Sequence, residues 1–474
     1  MRVLCSLSLF LAACQPGGSS GRVPGTDSSP AVGTPGGTPT GTPGGTPTGT
    51  SGSDVIRFRG AVPRNLIFLS IDTFRKDHLG IYSTKGLTPF LDQVAAEGVV
   101  MNQHTQCSCW TFGSTTCTLA GRTNIERGHI PRLNGTVANR PPVPEGTPFL
   151  ATWLGQAGFY SQIVSANDWL SATWGNTQGY TKEAKPLGDA IAVLDKSLEL
   201  IQPELDNGTI DRWFMHLHFM EPHAAYDPPE EYIVGLDQLE PFPADLTNRA
   251  VHYGWRDQWP DLDPDTQALL EAHLRVLYEG EIRTIDARLA DDWQRLDDLG
   301  FLDDALVVIW NDHGEEFWEH GHQTHAYDLT REANDGFLIF WAKNIVPGSY
   351  DEPTAAIDLV PTILDLYGLP MPPEVTGYPI GTAPPDRPIF TEALARTGGV
   401  QAVVKNGWKL HYNWYDGSVR VWDRNTDPLE TVDLYDPTDP MTLELWADLK
   451  PQVEAMAPLI VDGQPAPNWP PDLP

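Results

Sequence analysis

A chain of 474 residues with 41% hydrophobic content is long enough to bury one large α/β core and an appended unit. Its net charge of −32 excludes nucleic acid and anionic membrane surfaces as electrostatic partners. The same field repels anionic substrates, so any anion handled here must be held by a bound cation or a local positive cluster.

The chain opens with MRVLCSLSLFLAACQPGG, an Arg and an apolar run of about ten residues leading through small residues to Cys14. A membrane-spanning helix needs roughly 20 apolar residues, so the pattern predicts a signal peptide over 1–14 instead. Its LAAC ending resembles a bacterial lipobox, with Cys14 as the lipidated residue. The expected product is exported and anchored to a bacterial membrane, periplasmic or at the cell surface. Residues 15–60 are rich in Gly, Pro, Ser and Thr and contain GTPGGTPT twice. Such a stretch buries too little apolar surface to offset its ordering entropy, and it reads as a disordered tether.

The main folded region is expected over 61–390. RNLIFLSID is a short apolar run of the kind that forms a strand covered on both faces. Thr88 and Pro89 open a helix that Gly98 closes. GTPFLATWLGQAG then reads as helix, FYSQIVSAND as strand, and RWFMHLHFMEPH as strand running into loop. A long helix from Asp265 leads to the strand ALVVIWND. This alternation predicts a doubly wound, mostly parallel sheet with helices on both faces. Over 391–474 the pattern changes to alternating strands with turns at Asn406-Gly407 and Asp416-Gly417, then one amphipathic helix, which makes a small C-terminal α+β subdomain.

Doubly wound sheets bind ligands beyond the carboxyl ends of their strands. Three polar clusters fall at predicted strand ends: SIDTFRKDH (70–78), HFMEPH (218–223) and WNDHGEE (310–316). Asp72, Asp312 and His313 brought together would offer oxygen and nitrogen ligands to one divalent cation, calcium, manganese or zinc. Such an ion would activate a hydroxyl and offset the charge of a tetrahedral anion. His223, set among prolines, suits a donor to a substrate oxyanion or a leaving group. EEFWEHGHQTHAYD adds His320, His322 and His325, and His322 is the expected catalytic one. Cys107, Cys109 and Cys117 permit one disulfide after export and leave one thiol free, with the pairing open.

In order, NLIFLSIDTFRKDHLGIY, TPFLDQVAAEGVVMNQHTQ, HLHFMEPHAAYDPP, YEGEIRTIDARLADDWQRLDDLGFLDDALVVIWNDHGEE and AIDLVPTILDLYGLP resemble the sulfatase family of the alkaline-phosphatase superfamily. The resemblance covers about residues 62–455. It implies an alkaline-phosphatase-like α/β fold and a metal-dependent hydrolase of sulfate or phosphate esters. It implies Asp72 as the first metal ligand, Asp312 and His313 as the late metal pair, His223 on the substrate's anionic group and His322 near the leaving oxygen.

The family's Cys/Ser-x-Pro-x-Arg pattern, which is oxidised to formylglycine, is not intact in CSCWTFGSTTCTLAGR. Set against relatives that read Trp-Thr-x-Pro-Ser-His, WTFGST places Thr111 at the nucleophile, Gly113 at the proline, Ser114 at the serine and Thr115 at the histidine. Thr111 is thus the expected nucleophile and a further metal ligand, at a helix N-terminus whose dipole and free amides favour an anion. Thr73 stands in place of a second aspartate, and Asn167 and Asp168 in place of a Lys-x-His pair. Arg75, Asn167 and Ser114 are the expected substrate contacts, with Arg122 as a further cation. The substrate is expected to be an anionic ester with a carbohydrate or aryl body, because segments 166–190 and 226–262 are aromatic. Two alternatives stand beside this reading. One is a phosphoryl transferase or phosphodiesterase of the same superfamily; the other is a non-catalytic surface lipoprotein that keeps the fold as a binding module.

Overall fold

The computed structural model describes residues 54–127, 142–186, 190–394, 399–413 and 417–456. The expected signal peptide, Cys14, most of the tether and Asp416 lie outside the described residues. The tether ends earlier than position 60: Ile56 and Phe58 are buried and Phe58 bridges to Ile345. Two large apolar side chains in a Gly/Pro-rich stretch gain more from joining a core than from staying in water.

Strands β1 (Asn65–Ile71), β2 (Val99–Met101), β3 (Tyr160–Ser165), β4 (Lys182–Ala184), β5 (Trp213–Phe219), β6 (Ala305–Asn311), β7 (Leu338–Trp341) and β8 (Gly348–Tyr350) form one sheet. Its eight strands lie in the order β8-β2-β7-β6-β1-β5-β3-β4. Only β7 runs against the rest. The central strand β1 is covered on both faces, as its unbroken apolar run requires. Ile67, Leu69 and Ile71 enter one core with helices α1 (Pro89–Glu97), α4 (Ala190–Asp206) and α6 (Pro264–Asp298). Leu66 and Phe68 enter the other core with α2 (Thr111–Ala120), α3 (Leu150–Gln156) and α8 (Leu359–Leu366), while α5 (Arg249–Gln258) and α7 (Arg331–Asn334) are the other α-helices of the main body among the described residues.

The helix signals are used as read, with one difference. Asp263 caps α6, accepting from the amides of Asp265 and Thr266 at 3.1 Å. Thr88 precedes Pro89 as expected, but its hydroxyl does not cap α1; it accepts from Gly80 N and donates to Asp92. No helix among the described residues is long and apolar enough to cross a membrane.

The C-terminal unit is an antiparallel sheet of β9 (Ile389–Leu394), β10 (Gly399–Lys405), β11 (Trp408–Asn413) and β12 (Ser418–Asp423) in sequence order. Its first strand starts at Ile389, just ahead of the expected boundary at 391. Asn406 (φ 52°) and Gly407 (φ 78°) make the two-residue hairpin turn. Helix α9 (Pro440–Met456) packs Leu445, Trp446 and Leu449 on Val403, Leu410 and Tyr412.

Candidate active site

Four neighbouring parallel strands, β6, β1, β5 and β3, end on the same edge of the sheet, and each delivers a polar residue just beyond its last apolar one. Strand β1 gives Asp72, whose amide donates to Phe219 O at 3.0 Å. Strand β6 gives Asp312 and His313, with Asp312 N on Ile71 O at 3.2 Å. Strand β3 leads to Asn167, and β5 leads to His223. All but His223 are buried.

Helix α2 begins above this edge with Trp110 as N-cap and Thr111 as its first residue. The Thr111 hydroxyl lies 3.4 Å from Asp72 Oδ2, 3.4 Å from His313 Nε2 and 3.1 Å from Asn167 Nδ2. Asn167 Nδ2 also donates to Asp72 Oδ2 at 2.5 Å. His313 Nε2 faces Asp72 Oδ1 at 3.4 Å and Asp312 Oδ2 at 3.7 Å. Ligand atoms from Asp72, Asp312 and His313 all fall within 4.8 Å of one another.

Electrostatics and satisfied valences both fit a cation. Asp72 Oδ1 and Asp312 Oδ2 are buried oxygens without a hydrogen-bond partner, costly for acceptor-only groups. Burial opposes the charge on Asp72, yet His218, His223 and His313 hold it below the ordinary carboxylate range. Burial, then the neighbouring Asp72 charge, push Asp312 well above that range. Burial and the His325 ring push His313 down to about 3, leaving the neutral imidazole a metal requires. Two buried carboxylates and a neutral imidazole, with no Lys or Arg bound to either orphan oxygen among the described residues, match the donor set for one divalent ion.

Several expected residues stand elsewhere or act otherwise. His322 stacks on Tyr327 with ring centroids 4.8 Å apart, and it is His325 that joins the cluster, 4.5 Å from His313 and 4.9 Å from His223. The reason is the backbone: Thr324 (φ 75°) and Ala326 (φ 72°) are left-handed and turn the chain sharply around His325. Arg75, expected at the substrate, has its buried guanidinium paired with Asp77 and Glu319. Ser114 donates to Asp312 O at 2.5 Å and so braces the backbone of a ligand candidate. Thr115 donates to Thr111 O at 2.6 Å. Asn167 is in the cluster, bound to the nucleophile candidate and a ligand candidate. Asp168 pairs outward with Lys185. Arg122 follows Gly121 at the far end of α2, roughly 15 Å along the axis from Thr111. His320 pairs with Glu332.

The opening hydroxyl-and-cysteine stretch also resolves. Cys107 and Cys117 form a disulfide that ties the approach to α2 to its last turns. Cys109 is the free thiol, buried among Leu329, Ala333 and Ala402. Burial, with the charges of Glu316 and Asp328, pushes that thiol far up, so it is inert.

Two features escape the sequence. Glu315 accepts from or bonds His325 Nδ1 at 2.9 Å, and burial lifts this acid to about 7 against the pull of His223 and His313. Behind Asp72 runs a buried chain: Tyr180 OH to His216 Nδ1 at 2.9 Å, His216 Nε2 to Ser70 Oγ at 2.8 Å, Ser70 Oγ to His218 Nδ1 at 2.8 Å. His218 Nε2 then faces Asp72 Oδ2 at 3.5 Å. A carboxylate only accepts, so His218 carries its proton on Nε2 and takes one from Ser70. Ser70 in turn accepts from His216, and His216 from Tyr180. The chain therefore polarises one way, toward Asp72. Its only sequence signal is the alternation in HLHF, with Ser70 in register opposite His218.

Comparison with known proteins identifies the family and the fold. The family model described as Sulfatase matches residues 64–369. An arylsulfatase of Clostridium perfringens is 24% identical over 226 residues, 45% of this chain and 44% of its own length. The chain thus spans less than half of that curated relative. A solved 2-O GAG sulfatase superposes with a TM-score of 0.63 at 15% identity, over 84% of this chain and 93% of that one. A phosphonate monoester hydrolase from Silicibacter pomeroyi gives 0.62 at 20%, over 84% and 96%. The fold is the alkaline-phosphatase-like α/β fold with a small C-terminal sheet.

Proposed function

The chain belongs to the sulfatase family, and from that membership we propose that it is a metal-dependent hydrolase of sulfate or phosphate esters with Thr111 as nucleophile. One observation carries the reading: the Thr111 hydroxyl, at the start of α2, sits within 3.4 Å of both Asp72 and His313. Asp72, Asp312, His313 and Thr111 would hold a divalent cation, calcium, manganese or zinc, which supplies charge to acidify the hydroxyl and offset the anion.

The remaining work falls to side chains. Asn167 orients the Thr111 oxygen, and the α2 amides favour negative charge there. Thr111 Oγ bonds to the sulfur or phosphorus as the ester oxygen departs, and its proton goes to solvent, because Asp72, held well below the ordinary carboxylate range, is a poor acceptor. His223 or His325, the latter held by Glu315, returns a proton to the leaving oxygen. Water then cleaves the threonyl ester, which restores the hydroxyl and releases sulfate or phosphate. A threonine cannot use the aldehyde chemistry of formylglycine, which favours phosphorus over sulfur. Similarity to a phosphonate monoester hydrolase supports the phosphodiesterase-like variant of this reading.

Trp110, Trp169 and Trp174 pack together on the Asn167 side with ring centroids 5.5 and 4.5 Å apart, and a sugar or aryl leaving group would meet the partly exposed Trp169 and Trp174. Export follows the N-terminal pattern, and the Cys107–Cys117 disulfide supports it because such bonds persist in oxidising compartments. Membrane attachment is assigned to a lipid on Cys14.

The test pairs metal analysis with turnover of an aryl sulfate and an aryl phosphate. One divalent ion per chain is expected, and Thr111→Ala should lower kcat by at least about a thousandfold. Unchanged turnover in that variant removes Thr111 from the chemistry. A metal-free protein that turns over neither ester points to the binding module.

A further inference from the structure

A cavity of about 380 Å³ opens at the seam between the main sheet's body and the C-terminal sheet, and it shares no lining residue with the Thr111 cluster. Its wall carries three cations, Lys76, Arg331 and Arg424, against two acids, Asp77 and Asp335. His104 adds no charge, because burial pushes it down to about 3.

Both acids are already committed. Asp77 takes the Arg75 guanidinium through two contacts at 2.8 and 2.9 Å. Asp335 binds Arg424 at 2.5 and 2.6 Å. Lys76 is left over. Its ammonium donates to Asn102 O at 2.7 Å and sits 4.7 Å over the Tyr82 ring, with no carboxylate at ion-pair distance among the described residues. Burial pushes Lys76 down to about 8, with Asp335 opposing and Arg424 and Arg331 adding to the fall. Arg331 is also under-paired: Asp77 and Glu332 stand 3.8 and 3.5 Å away, and its Nε is buried without a partner. In a chain of net charge −32, a half-enclosed space with an excess of cations is set apart from its surroundings.

The chemistry of the walls limits the occupant. An anion between Lys76 and Arg331 would supply the missing counter-charge. The volume exceeds that of a lone sulfate and suits a six-membered ring with one charged substituent. Tyr82 and Pro353 offer apolar faces, and the side-chain oxygens of the exposed Gln103 and Asn425, whose nitrogens are held by Asp351 O and Asn406 O, can accept from hydroxyls at the rim. We propose that this cavity is a second ligand site that binds a small acid of monosaccharide size, its carboxylate or sulfate group on Lys76 and Arg331. The site is independent of hydrolysis at Thr111.

Calorimetry on the full chain carrying Thr111→Ala, treated with chelator, tests the site with the catalytic cluster disabled. D-glucuronate and D-glucose 6-sulfate are titrated, with D-glucose as the uncharged control. Saturable one-to-one binding of at least one acid is expected, with glucose weaker by about tenfold or more. Lys76→Met and Arg331→Gln, each checked for an unaltered thermal transition, should each weaken that binding by about tenfold. The acid that saturates identifies carboxylate or sulfate as the recognised group. Absence of saturation by both acids, equal binding of glucose, or full affinity in both variants overturns the proposal.

Discussion

His322 and His325 are the same side chain three residues apart, and only the path of the backbone separates a stacking partner of Tyr327 from a neighbour of His313. Replacing His325 with Ala should therefore lower kcat on the metal-loaded enzyme by about a hundredfold. His322→Ala should leave it essentially unchanged, which initial rates on the same ester will show. The chain behind Asp72 makes a subtler prediction. Tyr180 is kept protonated by burial, and it is the donor that starts the one-way polarisation. Tyr180→Phe should weaken the binding of the divalent ion by about tenfold, read by calorimetry with the metal alone. Residue types at strand ends pointed to Asp72, Asp312 and His313 because their chemistry is scarce, whereas Thr111 was reached through the family resemblance. Neither Ser70 nor Tyr180 could be found that way, since a hydroxyl inside an apolar strand looks like any small core residue.

At the scale of elements, the loop after β1 is fastened to the loop after β6 and to α6. Arg75 and Arg275 both reach Glu319, at 2.6 and 2.8 Å. Burial opposes the charge on Glu319, but the two guanidinium groups hold it down at about 2. A folded-state value below the ordinary 4.5 stabilises the native chain above that pH, and the gain fades as pH falls toward 2. Glu319→Gln should thus cost about 3 kcal/mol at pH 7. Unfolding midpoints of the two proteins should converge between pH 4.5 and about 2. A difference that persists at the acid end would mean that Glu319 acts by packing. Elements themselves were readable: Pro89, the run in β1 and the Asn406-Gly407 turn each act through local backbone physics. The disulfide was not, because three nearby cysteines differ only in what surrounds them after folding.

Across the whole molecule, the C-terminal sheet is joined to the main body by buried charges. Lys409, paired with Glu430 at 3.0 Å inside the C-terminal unit with both side chains almost fully enclosed, donates to Leu329 O of the main body, and His411 and Arg420 meet on Asp328. Asp328 lies in the same chain turn as His325, so this seam steadies the site's histidine loop. One cooperative transition is expected by scanning calorimetry, and Lys409→Met should cost about 1–3 kcal/mol by removing one buried partner of Glu430, which keeps Arg424 at 3.2 Å. Two separable transitions would show that the units fold apart.

Sequence alone determined the alternation of strand and helix, the polar strand ends and the exclusion of formylglycine at Thr111, because these depend on residue type and short-range periodicity. Tertiary structure alone decided which imidazole faces the cluster, which cysteines pair, and which partners Arg75 and Ser114 bond. Those outcomes depend on registers and turns that bring side chains together from hundreds of residues apart, and no local pattern records a distance.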